Sequence, residues 1–350
     1  MSTTTDEFAE RLFQASLGTI EVLSVHIGDR MGWYRALAAH GPADPGELVT
    51  RAGGHERYAR EWLEQQAAYG ILEIAPDGRF VLPKGAAEVL THEASLAYLA
   101  PLARMLAGAA VQMPALLEAY RNGGGVGWAQ FGADVRESQA DMNRPWFEHA
   151  LPGALAGVPD LDAVLRRPGA RIADVGCGGG WSSIALARAY PEALVEGVDI
   201  DAPSIELAGR NAAASGLGER ISFRRGDAAL LDEGRYDAIF AFECVHDMPR
   251  PVDTLAAVRR AIAPGGAVVI MDEAVGESFT APADDTERLM YGFSLLICLP
   301  DGMHDQPSAG TGTVMRPDTL RRYAREAGFG DIEVLPIEDF GFWRFYRLIP

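Results

Sequence analysis

The chain has 350 residues, is 48% hydrophobic and 23% charged, and carries a formal net charge of -18 at pH 7. That length allows two separate cores, the composition is that of a globular protein, and the acidity opposes a phosphate backbone, so no nucleic acid is expected as a partner. The cysteines, Cys177, Cys244 and Cys298, are far apart with no C-x-x-C spacing. Neither a disulfide framework nor a zinc site is indicated, and a reducing cytoplasmic setting fits.

The opening "MSTTTDEFAE" lacks the features of a secretory signal. Helical spacing follows in Phe8, Leu12, Phe13, Leu17, Ile20, Leu23 and Ile27. "GPADPGELVTRAGG" reads as a short helix between Pro45 and Gly53-Gly54, and the next segment as a longer helix followed by a hairpin turning at Asp77-Gly78. This is the outline of a winged helix. Its second helix mixes Glu56, Glu61 and Glu64 with Arg57 and Arg60, which is not a basic recognition face, so a module for dimer contacts and for walling a pocket is expected instead.

Residues 97–117 are the most membrane-like, but Arg104 and Gln112 lie inside them and Pro101 and Pro114 break them, so a buried helical region is expected and no membrane span. Residues 91 to about 165 read as helical, with "RNGGGVGW" as a connector that lacks the Lys-Ser/Thr of a phosphate loop.

After Pro168-Gly169 short apolar runs alternate with helical stretches: "RIADVG", "LVEGVDI", "ISFRRGD", "YDAIFAFE" and "AVVIMDE". Such alternation gives βαβ crossovers and a parallel sheet, and the closing "DIEVLPI" and "GFWRFYRLI" read as a final antiparallel pair. Ligands of open α/β sheets bind beyond the carboxyl ends of the strands. The first such loop, "ADVGCGGGWSS", offers Gly176, Gly178 and Gly180 with Cys177 between them, but Trp181 stands where a dinucleotide fingerprint needs its third glycine. The loop, with Asp174 before it, suits an amino-acid head group. Asp199, with Ile200 after it, ends the second strand where an acid can take a ribose diol. Gly226-Asp227-Ala228 ends the third, where Asp227 can accept from an exocyclic amine and Ala228 can offer its N–H to a ring nitrogen. Phe242 and Glu243 end the fourth. In this order the loops describe an amino-acid head, a ribose and an adenine, which together make S-adenosylmethionine (SAM).

Through "DVGCGGG", "GVDID", "RGDA" and "APGGAVVIMDE", residues 170–350 resemble the class I SAM-dependent methyltransferases. With the winged helix ahead of them, the chain is similar to the bacterial and plant small-molecule O-methyltransferases. The resemblance implies an α/β fold with a Rossmann-like, seven-stranded, mostly parallel sheet and an N-terminal α-helical winged-helix domain. The expected boundaries are 1–90 for a winged-helix dimerisation domain, 91–165 for a helical linker covering the acceptor pocket, and 166–350 for the SAM-binding domain. It also implies a homodimer formed through the N-terminal domain, with S-adenosylhomocysteine (SAH) as product.

SAM carries its own leaving group, so the chain has to align an acceptor and, where needed, remove its proton. His246-Asp247 follows the fourth strand at the position of a similar His-Asp-Trp segment in plant-type enzymes, whose histidine is the general base; Met248 departs from that pattern. His246 is therefore a base, a pocket wall or a cap on the strand end, with Asp247 and Glu273 as catalytic candidates beside it. Trp146, Phe147, Met290, Tyr291, Phe293 and His304 are candidates for the acceptor walls, each with interdomain core as the other reading, or a mobile loop for His304. No metal is expected. The acceptor expected is a small molecule such as a secondary metabolite bearing a hydroxyl. N- or C-methylation, a catalytically silent SAM-binding subunit, and a SAM-binding transcriptional regulator using the winged helix are the alternatives.

Overall fold

A computed structural model describes residues 4–350. Its backbone contacts divide the chain into two compact units, meeting in sequence at Gly108 and Ala109.

In the first unit α1 (Thr5–Arg30) begins at a capping box in which Thr4 and Glu7 satisfy each other's backbone N–H groups. After α2 (Trp33–His40), α3 (Pro45–Ala52) repeats the device with Asp44 and Glu47 and stops at Gly53, whose φ is +78°. Next come α4 (Glu56–Ala68), the two antiparallel strands β1 (Glu73–Ile74) and β2 (Phe80–Val81), α5 (Lys84–Thr91) and α6 (Ala100–Val111). Trp33, Tyr34, Leu48, Trp62 and Leu63 form the centre of this core. Arg104, the charge inside the apolar stretch, is buried with its Nε 3.0 Å from Asp29 Oδ2. A buried charge paired in this way belongs to a protein interior. Among the described residues, no single helix is long and apolar enough to cross a membrane.

The second unit opens with α7 (Met113–Asn122) and α8 (Trp128–Pro145), which runs on through a π-helical turn, Trp146–Ala150, into α9 (Leu151–Ala156). Then α10 (Pro159–Leu165) leads to β3 (Arg171–Val175), α11 (Trp181–Ala189), β4 (Leu194–Asp199), α12 (Ala202–Ala214), β5 (Ile221–Arg225), β6 (Tyr236–Phe242), α13 (Pro251–Ala261) and β7 (Ile262–Glu273). The insertion holds α14 (Asp285–Phe293), a second π-helical turn at Ser294–Cys298, and α15 (Leu299–Gly302). The chain finishes with α16 (Pro317–Glu326), β8 (Asp331–Val334) and β9 (Trp343–Ile349).

The seven strands form one sheet in the order β5-β4-β3-β6-β7-β9-β8, parallel except for β9, which is antiparallel to both of its neighbours. Alternate residues serve opposite faces: Ile172 and Phe240 pack with Leu161 and Ile184, while Ala173 and Ile239 pack with Leu255 and Leu320. The sheet is thus covered on both sides, and its carboxyl ends are left for a ligand.

The glycine turn at 123–127 does more than connect. Val126 N donates to Pro300 O at 3.0 Å, and a Cβ on Gly125 would lie 2.0 Å from that same oxygen. Only a bare backbone lets this turn seat against α15.

Candidate active site

The loop after β3 takes the conformations its glycines permit, with φ of +71° at Gly176, +50° at Gly178 and +78° at Gly180. Space is as restrictive as φ. A Cβ on Gly176 would lie 2.7 Å from Cys244 Sγ, and one on Gly180 2.8 Å from both Ala208 Cβ and the Phe223 ring. Gly180 thus supplies the close helix packing that a glycine at 181 would otherwise supply. Trp181 is free to open α11, where the Arg144 guanidinium stacks over its ring with 4.0 Å to the centroid.

Several loop amides already have acceptors. Gly176 N and Cys177 N donate to Val198 O at 2.8 and 3.2 Å, Gly180 N to Cys177 O at 2.8 Å, and Gly178 N to Asp199 Oδ2 at 2.9 Å. In this geometry the loop is held to the end of β4, where Asp201 N also donates to Asp199 Oδ1 at 2.8 Å. Asp199 is half-buried, and burial raises its pKa; each of its oxygens keeps a lone pair for a diol. Ile200 beside it is exposed, an apolar bed open to a flat ring.

Asp174 is fully buried, and its Oδ2 accepts from both Ser182 and Ser183 hydroxyls at 2.6 Å. The serine pair in the first turn of α11 was not among the expected site residues, although two hydroxyls eight and nine residues beyond a strand-end acid, across a glycine loop, are a readable signal. Burial raises the Asp174 pKa to about 6 despite those donors. Its Oδ1 receives no hydrogen bond among the described residues. A buried acceptor left over in this way fits an N–H donor of an amino-acid head group, so the loop suits SAM on its own chemistry.

After β5, Gly226 (φ +154°) leads to Asp227, which caps a short turn by accepting from Ala229 N at 2.9 Å. Asp227 is exposed and Ala228 is buried. At the end of β6 the two expected residues differ. Phe242 is a core residue, stacked on Phe240 and packed on Phe147. Glu243, at the left-handed φ of +49°, turns its carboxylate to Gln139 Nε2, Asn143 Nδ2 and Trp343 Nε1. It therefore ties α8 to β9 across the strand ends. Burial, then Glu273, pushes its pKa up to about 8.

His246 lies in a short turn after β6 and is 2% exposed. Its Nδ1 stands 2.9 Å from Asp272 Oδ1 and 3.2 Å from Glu273 Oε2, and its Nε2 is 3.1 Å from Asp247 Oδ1. Burial works against charge on the ring, yet Asp247, Asp272 and Glu273 outweigh it and hold the His246 pKa well above its ordinary value. Glu273, at the end of β7 and 4% exposed, is not a solvated loop acid; burial raises its pKa to about 8 against the pull of His246. Two further acids of this region were not among the expected catalytic residues. Asp272 is buried beside Glu273, and Asp301 on α15 accepts from Trp128 N at 2.6 Å with its pKa pushed up to about 8 by burial and then by Asp247.

The ligand atoms of His246, Asp272 and Glu273 lie within 4.8 Å of one another, close enough to surround a cation.

The expected acceptor walls divide. Phe147, Met290 and Phe293 are buried, and Trp146 packs edge-on against Trp343 and beside Phe340, as core aromatics do. Tyr291 is half-buried, its hydroxyl accepting from Arg316 Nη2 at 3.3 Å. His304 is exposed, with its ring against Gly127, where a Cβ would lie 2.7 Å away. A separate cavity of about 250 Å³, lined by Arg171, Leu194, Glu196 and Arg220 among others, sits at the amino ends of the strands, the wrong end for a ligand of such a sheet.

Comparison with known proteins supports the same assignment. A methyltransferase domain model matches residues 172–266, and an Rv2258c-like winged HTH domain model matches 19–92. The ubiquinone biosynthesis O-methyltransferase of Methylococcus capsulatus is 32% identical over 177 residues, which is 50% of this chain and 68% of that protein. Among solved structures, an O-methyltransferase family protein from Burkholderia thailandensis is 18% identical and superposes over 100% of this chain and 98% of its own, with a TM-score of 0.71. Human N-acetylserotonin methyltransferase, solved in complex with SAM, is 16% identical over 100% of this chain and 99% of its own, with a TM-score of 0.72. The chain belongs to the class I SAM-dependent methyltransferases and carries a winged helix-turn-helix module ahead of its methyltransferase domain.

Proposed function

We propose that this methyltransferase acts on a hydroxyl group of a small molecule, such as a secondary metabolite, with His246 as the group that takes the hydroxyl proton. The observation that carries the reading is a nearly inaccessible imidazole at the carboxyl end of β6, surrounded by Asp247, Asp272 and Glu273. SAM, when bound, supplies an electrophilic methyl on a sulfonium leaving group. The residues of the chain do the rest. Asp174, Asp199 and the loop at Gly176, Gly178 and Gly180 are suited to hold its head group and ribose, and Ile200 and Asp227 to meet its adenine.

An elevated pKa matches His246 to a phenol or alcohol, because a stronger base draws a weakly acidic proton better. It also sets a direction: the ring accepts a proton only when neutral, so turnover rises as pH increases through its raised pKa. O-methylation is also what the relative from M. capsulatus and the B. thailandensis structure are named for. The test is transfer of labelled methyl from SAM to a panel of phenols, amines and carboxylic acids. Transfer to oxygen supports the reading; exclusive transfer to nitrogen or carbon overturns it.

The homodimer belongs to the same proposal. Along α1, Phe8, Leu12, Phe13, Ile20, Leu23 and Ile27 are each roughly half exposed, an apolar row that a second copy would cover. DNA binding is less well supported, because on α4 Arg57 pairs with Glu61 and Arg60 with Glu56. Three free cysteines agree with a reducing, cytoplasmic setting.

A further inference from the structure

Among the described residues, every ion pair of Asp247, Asp272 and Glu273 runs to His246. One imidazole, at most a single positive charge, thus stands against three carboxylates, and two of these keep an unused oxygen. Asp272 Oδ2 and Glu273 Oε2 have no hydrogen-bond partner among the described residues, although Asp272 is 1% and Glu273 4% exposed. Buried acceptors and charge left over in this way call for a further positive group. Geometry points to its kind. His246 Nδ1 is 2.9 Å from Asp272 Oδ1 and 3.2 Å from Glu273 Oε2. With bonds of about 2.1 Å, neighbouring ligands of an octahedral ion stand about 3.0 Å apart. An imidazole joined to two carboxylates suits manganese, iron, cobalt or zinc better than magnesium or calcium, which prefer oxygen alone. The other ring nitrogen is provided for as well. Nε2 faces Asp247 Oδ1 at 3.1 Å, and a carboxylate there is what a ligating histidine needs for its remaining N–H. Asp272 is held in its turn by Glu273 N, which donates to its Oδ1 at 3.1 Å.

We propose that His246 Nδ1, Asp272 and Glu273 form a binding site for a divalent first-row transition ion, and that the ion inhibits methyl transfer. The site stands on geometry alone; the inhibition rests on the proposed role of His246. In the ion-free chain a hydrogen on Nδ1 lies toward Asp272 Oδ1, and the ion takes its place. With the ion on Nδ1 and a hydrogen on Nε2 toward Asp247, the ring has no lone pair left for a hydroxyl proton. The ion and the acceptor's proton therefore compete for one imidazole. A second set, His246, Asp247 and Cys298, also comes together around this ring. It is the poorer site, because burial pushes the Cys298 thiol up, away from the thiolate that a metal binds.

Zn²⁺ and Co²⁺ are the probes, added to the full chain after chelation and dialysis. Calorimetry with Zn²⁺ is expected to show a site in wild type that weakens at least about 10²-fold in Asp272→Asn and in Glu273→Gln and persists in Cys298→Ser. Co²⁺ should give visible bands without the near-ultraviolet charge-transfer band of a cobalt–thiolate bond. Wild type that takes up no Zn²⁺, or whose Co²⁺ form shows the sulfur band, overturns the site whether or not the variants fold. So do folded Asp272→Asn and Glu273→Gln variants that bind as wild type does. Once an acceptor is identified, saturating Zn²⁺ should lower kcat on the order of 10²-fold and EDTA should restore it. Undiminished turnover with the site filled overturns the inhibition. SAH binding, expected to be the same with and without Zn²⁺, keeps the two readings apart: a chain that takes up Zn²⁺ but no SAH fails as a methyltransferase and retains its ion site.

Discussion

Replacing Asp174 with asparagine separates what this acid does for folding from what it does for the ligand. Its pKa is raised from 3.8 to about 6 in the folded chain, chiefly by burial. A raised acid pKa means the folded state holds the proton more tightly than the unfolded state, so the stabilising contribution is complete below pH 3.8 and is lost as pH rises through 6. From those two values the buried acid costs about 1 kcal/mol at pH 4.5, where the folded chain retains a proton the unfolded chain releases, and about 3 kcal/mol at pH 7.5, where it is ionised in both. Asparagine cannot ionise yet can still accept from Ser182 and Ser183. Urea unfolding of the ligand-free protein at both pH values should therefore show the stability of Asp174→Asn gaining on wild type by about 2 kcal/mol between them. SAM binding should move the other way, weakened roughly tenfold or more, because the unpaired Oδ1 would lose its negative charge toward an ammonium. A stability difference that does not change with pH would refute the claim that Asp174 is held ionised at a cost in the folded chain. Unchanged SAM affinity would refute its part in the head-group site.

Changing His246 to Gln should reduce turnover by about 10²-fold or more and remove the alkaline rise in kcat while SAH still binds; a variant with unaltered pH profile takes His246 out of the chemistry. Gly180→Ala places a side chain at φ +78° and 2.8 Å from Ala208 Cβ, so a loss of about 2 to 4 kcal/mol in denaturant unfolding and weakened SAM binding are expected. Paired Leu12→Asp and Phe13→Asp substitutions on α1 should convert a dimer to a monomer in sedimentation experiments, and a wild type that sediments as a monomer at micromolar concentration ends the dimer proposal.

How far the sequence could be read depended on whether a residue's role was set by its own backbone or by distant neighbours. Gly176, Gly178 and Gly180 could be placed because positive φ is a local demand that few other residues meet. The parallel character of the sheet followed from the alternation of strands and helices, and the closing pair β8 and β9 is antiparallel as their short connection requires. Phe147, Met290 and Phe242 were expected at ligands and lie in the core, because an apolar side chain at a strand end or on a helix has the same pattern whether it faces a cavity or another side chain.

Asp272 shows the harder case. Neighbours on a strand point to opposite faces, so Asp272 and Glu273 should not both reach one imidazole. They do because β7 ends there: Val275 N already turns back to Glu273 O at 2.8 Å, and Ala274 N donates to Phe342 O. Both acids still pair with β9, Asp272 with Arg344 and Glu273 with Trp343, so their shared reach comes from standing at the strand's end and not from its register. A site built at strand ends thus escapes the periodicity that reveals the strands, and its partners become legible only once the β6 turn has brought His246 to the same edge.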